Sequence, residues 1–207
     1  MPDRIQREFP LFPLALVALP HEQIPLHIFE QRYRTMIGEC LEQETEFGIV
    51  WLSDSELKPI GCACAIEEVL ERMEDGRINI LTRGTRPFRL VSRNDHLPYP
   101  AGTVEFLEDS VEETDPEVAE AAHDSYAILF ERATDSRPEP ETLDQLSAYE
   151  MAAMVDFGLE AKQELLELRS ENSRLRQVAR LFRAAARRLD FVDRAQARAR
   201  SNGKVRF

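Results

Sequence analysis

Asp75-Gly76 stands between Met73 and Ile78, and two long apolar arms, Gly61 to Met73 and Arg77 to Val91, run away from it. A two-residue type I′ turn needs positive φ at both central positions, and Asp-Gly supplies them at low cost, so the pair predicts a β-hairpin. Gly84 and Pro87 in the second arm mark a bulge, a bend or an edge. A strongly bent hairpin of this kind is what a small barrel uses.

The surrounding chain, from Phe9 to about Glu108, has the same texture of short apolar runs broken by Pro and Gly. Ile24 to Ile28, Phe47 to Leu52 and Val104 to Leu107 have strand lengths and strand composition. Phe9 to Leu14 holds Pro10 and Pro13, each of which biases the preceding residue away from helix, so this stretch reads as extended. The same prolines break what would otherwise imitate an export signal after Arg4 and Arg7. One helix is predicted here, from Phe29 to Gln43, with Phe29, Tyr33, Met36, Ile37, Cys40 and Leu41 at three- and four-residue spacing.

Beyond Asp109 the pattern becomes acidic and then helical. Asp115 with Pro116 predicts a helix start, Thr142 with Gln145 a capping box, and Leu159 to Leu168 a short helix. Leu175, Val178, Phe182, Ala185, Leu189 and Val192 then form a 3,4 packing stripe, which suits the inner face of a bundle or a weak homodimer through the last helix. The expected class is α+β: a β-rich region over 1–110 with one inserted helix, a helical bundle over 111–195, and a basic, flexible tail over 196–207.

Composition narrows the function. The 207 residues carry 38 acidic and 26 basic side chains, a net charge of -12, which repels a polyanion unless the basic residues are segregated. Twenty-three of the 26 are arginine, and 12 basic against 3 acidic residues fall between Arg169 and Phe207. Nucleic acid is therefore disfavoured for the body and left to the Arg-rich C-terminus as the alternative. Three cysteines, Cys40, Cys62 and Cys64, make no disulfide framework and fit the cytoplasm. No apolar run is long enough to span a bilayer.

Chemistry is sparse. There is no phosphate loop, no dinucleotide fingerprint and no nucleophile elbow. His21 and His27 are six apart with Pro25 between them, which fails the one-turn spacing of a helical zinc site. Cys62 and Cys64 could face one side of a strand, but no second ligand pair stands near them, and free cysteine is among the most buried residue types. No metal or cofactor is expected, and the residues read as a binding module, with an enzyme acting in a barrel pocket as a third class.

The segments Pro10-Leu11-Phe12-Pro13-Leu14, Leu19-Pro20, Ile24 to Glu30, Arg32-Tyr33-Arg34 and Met36-Ile37 closely resemble, in order and spacing, the opening of the Lon protease N-terminal, or substrate-binding, domain. The likeness continues through Phe47-Gly48-Ile49-Val50, Gly61-Cys62, Asp75 to Ile80, Arg83-Gly84 and Arg86-Pro87-Phe88, and in the helical half through Lys162 to Glu167 and Arg174-Leu175. Ala15 and His21 depart from it, standing where glycine is usual in the family. The resemblance implies a PUA-like β-barrel followed by a helical bundle. It also implies a non-catalytic role, binding unfolded protein or peptide segments as an adaptor in quality control, with a protease or chaperone as further partner. Candidate contacts are Pro25, Leu26, Phe29 and Phe47 with Tyr33, and Glu30 or Arg32 as polar anchors. Helix periodicity argues for burial of Phe29 and Tyr33, and Glu30 with Arg34 would be an ordinary surface pair.

Overall fold

A computed structural model of the protein describes residues 4–202 except 55 and 95, with side chains through Phe191. Among these residues the strands are β1 (Ile5–Leu14), β2 (Gln23–Ile28), β3 (Phe47–Ser53), β4 (Glu56–Leu57), β5 (Ile60–Arg72), β6 (Ile78–Asn94) and β7 (Ala101–Phe106). The helices are α1 (Gln31–Gln43), α2 (Pro116–Thr134), α3 (Pro140–Leu143), α4 (Ala148–Ala153), α5 (Leu159–Glu167) and α6 (Glu171–Asn202). They form two compact units, one of residues 1–110 with 152–169, the other of 111–151 with 170–207. The expected boundary at 110 assigned 152–169 to the helices, whereas this segment clusters with the sheet.

In the first unit the path β1-β7-β6-β5-β3 returns on itself, because β1 also pairs in parallel with β3, Leu11 opposite Gly48. The other pairings are antiparallel. Phe9, Leu11, Val50, Ala63, Phe88, Val104 and Phe106 close over one another as a buried cluster. Phe9 meets Phe88 and Phe106 edge to face at 5.6 and 5.7 Å, a favoured aromatic geometry. Gly48 is glycine because a Cβ there would sit 2.6 Å from the Phe88 ring.

The long hairpin forms, but its turn is not type I′. Met73 N–H donates to Arg77 O and Gly76 N–H to Met73 O, and of the two turn residues only Gly76 has positive φ, at 85°. This is the three-residue loop built on a type I turn followed by a left-handed residue. Asp75 Oδ1 accepts from Arg77 N–H, and its carbonyl from Arg34 Nη1 of α1 at 2.6 Å. Helix α1 buries Tyr33, Met36, Ile37 and Cys40, which lie three and four residues apart on one face. Helix α5 is fastened to the sheet by Gln163 Nε2 donating to Ile60 O and by the Lys162–Glu22 ion pair, with Leu165 and Leu166 buried.

In the second unit α2 starts as expected, with Asp115 Oδ1 accepting from Glu117 N–H and Pro116 at the first turn. The capping box lies elsewhere: Ser147 and Glu150 exchange the paired bonds at the start of α4, whereas Thr142 falls inside the four-residue α3. Helices α2 and α6 run parallel, joined near their starts by Asp115 N–H to Asn172 Oδ1 and further along by the Arg132–Asp190 pair. Between them Tyr126 packs edge to face on Phe182 at 5.3 Å. The stripe of α6 is buried at Leu175, Val178 and Phe182, then continues through Ala186 rather than Ala185, and Leu189 is partly exposed where α2 ends. The α6 backbone is helical over 196–202, and the remainder of the expected tail, 203–207, lies outside the described residues.

Candidate functional site

Strand β2 lies against the distal half of β6, Gln23 opposite Arg83 and Ile28 opposite Ile78, while β5 flanks the other side of that same half. Side chains of β2 alternate in burial, with Ile24, Leu26 and Ile28 inside and Gln23, Pro25 and His27 outside, the period-two pattern of a half-buried strand. The outer face is ordered by two side-chain chains across the three strands. Gln23 Nε2 donates to Glu67 Oε2 at 2.7 Å, and Arg83 Nε pairs with the same carboxylate. Asn79 Nδ2 donates to Glu71 Oε2 at 2.9 Å, and Asn79 Oδ1 lies 2.6 Å from His27 Nδ1. The Arg83 and Gln23 bonds hold the Glu67 carboxyl below the usual range.

Between these strands is a concavity of about 590 Å³ lined by Pro25, Leu26, His27, Leu70, Glu71, Asn79 and Ile80. Leu70 sits where the β5–β6 register shifts between Val69 and Glu71, and the bulge leaves it 49% exposed. Phe29, just past the end of β2, is 60% exposed and stacks on the His27 ring at 5.9 Å. Two large apolar side chains thus stand in water on this side of the sheet.

The candidate residues divide accordingly. Pro25, Leu26 and Phe29 belong to this region, although Leu26 is itself 9% exposed. Glu30 and Arg32 pair with each other at 2.8 Å, so Glu30 does not take Arg34, which serves the hairpin turn instead. Tyr33 and Phe47 are core residues: the Tyr33 ring packs on Phe12 at 4.2 Å and is 5% exposed, and Phe47 has no exposed surface. Phe29 departs from its expected burial because it precedes α1 and is not on its inner stripe. His27, Leu70, Glu71 and Asn79 were not marked by the sequence, since β2 and β5 meet through pairings with β6 more than fifty residues from β2.

Cys40, Cys62 and Cys64 are buried free thiols, and desolvation pushes the Cys62 thiol well up, which makes it unreactive. Among the described residues no three His, Cys, Asp or Glu side chains are grouped to hold a metal ion, and no helix is long and apolar enough to cross a membrane.

The first unit thus combines a largely antiparallel sheet with attached helices and presents a partly apolar outer face. The chain belongs to the family of the ATP-dependent protease La (Lon) substrate-binding domain, which it matches over residues 8–183. The match is to that domain alone. It is similar to the crystal structure of a Lon N-terminal domain protein from Xanthomonas campestris, at 28% identity and TM-score 0.65, over 84% of this chain and 97% of that one. It also shares the fold of the N-terminal domain of a Mycobacterium avium complex Lon protease, at 18% identity and TM-score 0.64, over 85% of this chain and 98% of that one.

Proposed function

We propose that this protein is a non-catalytic substrate-recognition module that holds unfolded polypeptide segments on the outer face of β2, β6 and β5, as a cytoplasmic adaptor for a protease or chaperone. The closed path of strand pairings is taken as a PUA-like barrel that carries this face. The observation that carries the reading is the exposed Phe29–His27 stack beside the concavity of Pro25 and Leu70. Large apolar groups left in water gain when an extended apolar segment covers them, and the ordered Glu67, Glu71 and Asn79 side chains offer polar partners to its backbone. Contact through side chains is favoured over strand addition at β2, because Pro25 has no N–H to offer a new strand. The buried free thiols fit a reducing compartment.

The test is binding of a fluorescently labelled, permanently unfolded polypeptide. Phe29→Ser with Leu70→Ser is expected to weaken it about thirtyfold, since half-exposed apolar side chains each contribute about 1 kcal/mol when covered. Folding stability should stay within about 0.5 kcal/mol, as for other surface changes. Absence of saturable binding at high micromolar concentration would overturn the reading.

A further inference from the structure

In the second unit the charges are divided between chain segments. From 111 to 151 there are 12 acidic and 2 basic side chains, and from 170 to 207 there are 11 basic and 3 acidic. Helix α6 arranges part of that basic set. Arg176, Arg180, Arg183 and Arg187 are all exposed, and their 4,3,4 spacing places them in one row along the helix. None of the four makes a close ion pair with a carboxylate among the described residues, although the Glu112 carboxyl, held below the usual range first by the Ser170 hydroxyl, lies near enough to Arg176 for its charge to help. Their hydrogen bonds go to neutral groups, Arg180 to Gln177, Arg183 Nε to Ser125 Oγ at 3.0 Å and Arg187 Nε to Arg183 O at 3.1 Å. Elsewhere in this unit Arg174 pairs with Glu171 and Arg132 with Asp190. Phe191, one turn beyond Arg187 on the same side of the helix, is 75% exposed.

We propose that this row is a binding site for single-stranded nucleic acid, with the guanidinium groups on successive phosphates and Phe191 as a stacking platform for a base. The net charge of -12 disfavours a polyanion only where basic residues are dispersed, and α6 segregates them. Guanidinium forks match phosphate oxygens bidentately. The groove that Arg176, Arg180 and Arg183 share with α2 has a volume of about 590 Å³ and is lined also by Val118, Ala121 and Ala179. An exposed aromatic beside a basic track is the usual arrangement for sequence-tolerant single-strand binding. Asp115 and Glu117 border the groove at the start of α2, so the strand is expected to follow the row toward Phe191 rather than toward that end.

The experiment is fluorescence anisotropy of a labelled oligouridylate with the intact chain across a salt series. Four phosphates at about 0.7 each give a slope of log K against log salt of about −2.8, or about 50-fold weaker binding between about 50 and about 200 mM salt. Arg176→Gln with Arg180→Gln leaves two contacts and should halve the slope to about −1.4. Phe191→Ala should weaken binding about tenfold with the slope unchanged, because stacking releases no counterions. Circular dichroism checks that the variants, all at exposed positions, retain the helical fold. The proposal is overturned if no oligouridylate binds at the low-salt end, if the arginine variants bind as the parent does, or if an oligoglutamate peptide competes as well as unlabelled oligouridylate. The last outcome would make the row a surface for an acidic protein.

Discussion

His21 holds a left-handed backbone, φ 68°, at the point where the chain turns into β2. Its N–H donates to Gly84 O at 2.8 Å and its carbonyl accepts from Arg83, so the backbone bonds keep the conformation despite its steric cost. That cost is about 1–2 kcal/mol for a residue with a Cβ, and glycine avoids most of it while losing more chain entropy. His21→Gly is therefore expected to stabilise the protein by about 1 kcal/mol, read as a raised urea midpoint at unchanged m value, and His21→Ala should give no gain. The sequence marked this position through its departure from the family's glycine. It could not mark Phe29 as exposed, because helical spacing includes Phe29 in the apolar stripe while the helix itself begins two residues later. Phe47 shows the opposite case: its strand was evident, but which of its residues face the Phe12 and Tyr33 rings depends on pairings that sequence periodicity does not contain.

The hairpin of β5 and β6 was legible as an element, since apolar arms flanked a turn pair, yet its turn type was not. Two residues and three residues of loop both use Asp-Gly, and the bonds of Met73 with Arg77 and Gly76 decide between them. The capping box at α4 was missed for a similar reason: Thr142-Gln145 and Ser147-Glu150 both fit the pattern, and only the second has its reciprocal bonds. The hairpin also carries a titration signature. Arg77 N–H bonding holds Asp75 below its ordinary value of 3.8, and Arg83 with Gln23 holds Glu67 below 4.5. A depressed carboxyl stabilises the fold above its unfolded pKa, and that contribution is lost as pH falls through the lower, folded one. Chemical denaturation should show the parent more stable than Glu67→Gln with Asp75→Asn at pH 7. The difference should shrink from about pH 4.5 downward and vanish once both carboxyls are protonated in both states. A difference that persists at the acid end would mean that the variants act through packing.

At the scale of the molecule, the sheet unit is discontinuous in sequence: 111–151 leaves it, 152–169 returns with α5, and the chain leaves again at 170. Composition changes near Asp109 made the first crossing legible, but nothing in the texture of Leu159 to Glu167 distinguishes a helix bound to a sheet from one in a bundle. The contacts do, through Gln163 on Ile60 and Lys162 on Glu22. A chain ending at 110 therefore lacks the buried Leu165 and Leu166, and each such loss costs about 2–5 kcal/mol against a total of about 5–15. We expect it to lose cooperative unfolding and its near-ultraviolet dichroism, and expect both to return when 152–169 is joined to 110 by a short flexible linker. Failure of that fusion to fold would show that the sheet unit needs more of the chain than its own contacts indicate.

The same discontinuity sets a schedule for synthesis. The strands are complete when residue 106 has been made, but α5 is finished only at residue 167, so the apolar surface it covers waits while 107–167 is translated. At ordinary elongation rates of about 5–20 residues per second, that interval lasts roughly 3 to 12 seconds. Hairpins close within microseconds, so local strand pairs form early in that interval, but they wait for nearly all of it without the packing that α5 supplies. A ribosome that pauses between 111 and 151 prolongs that state, and codon changes in this acidic stretch should alter the yield of folded protein without altering a single residue.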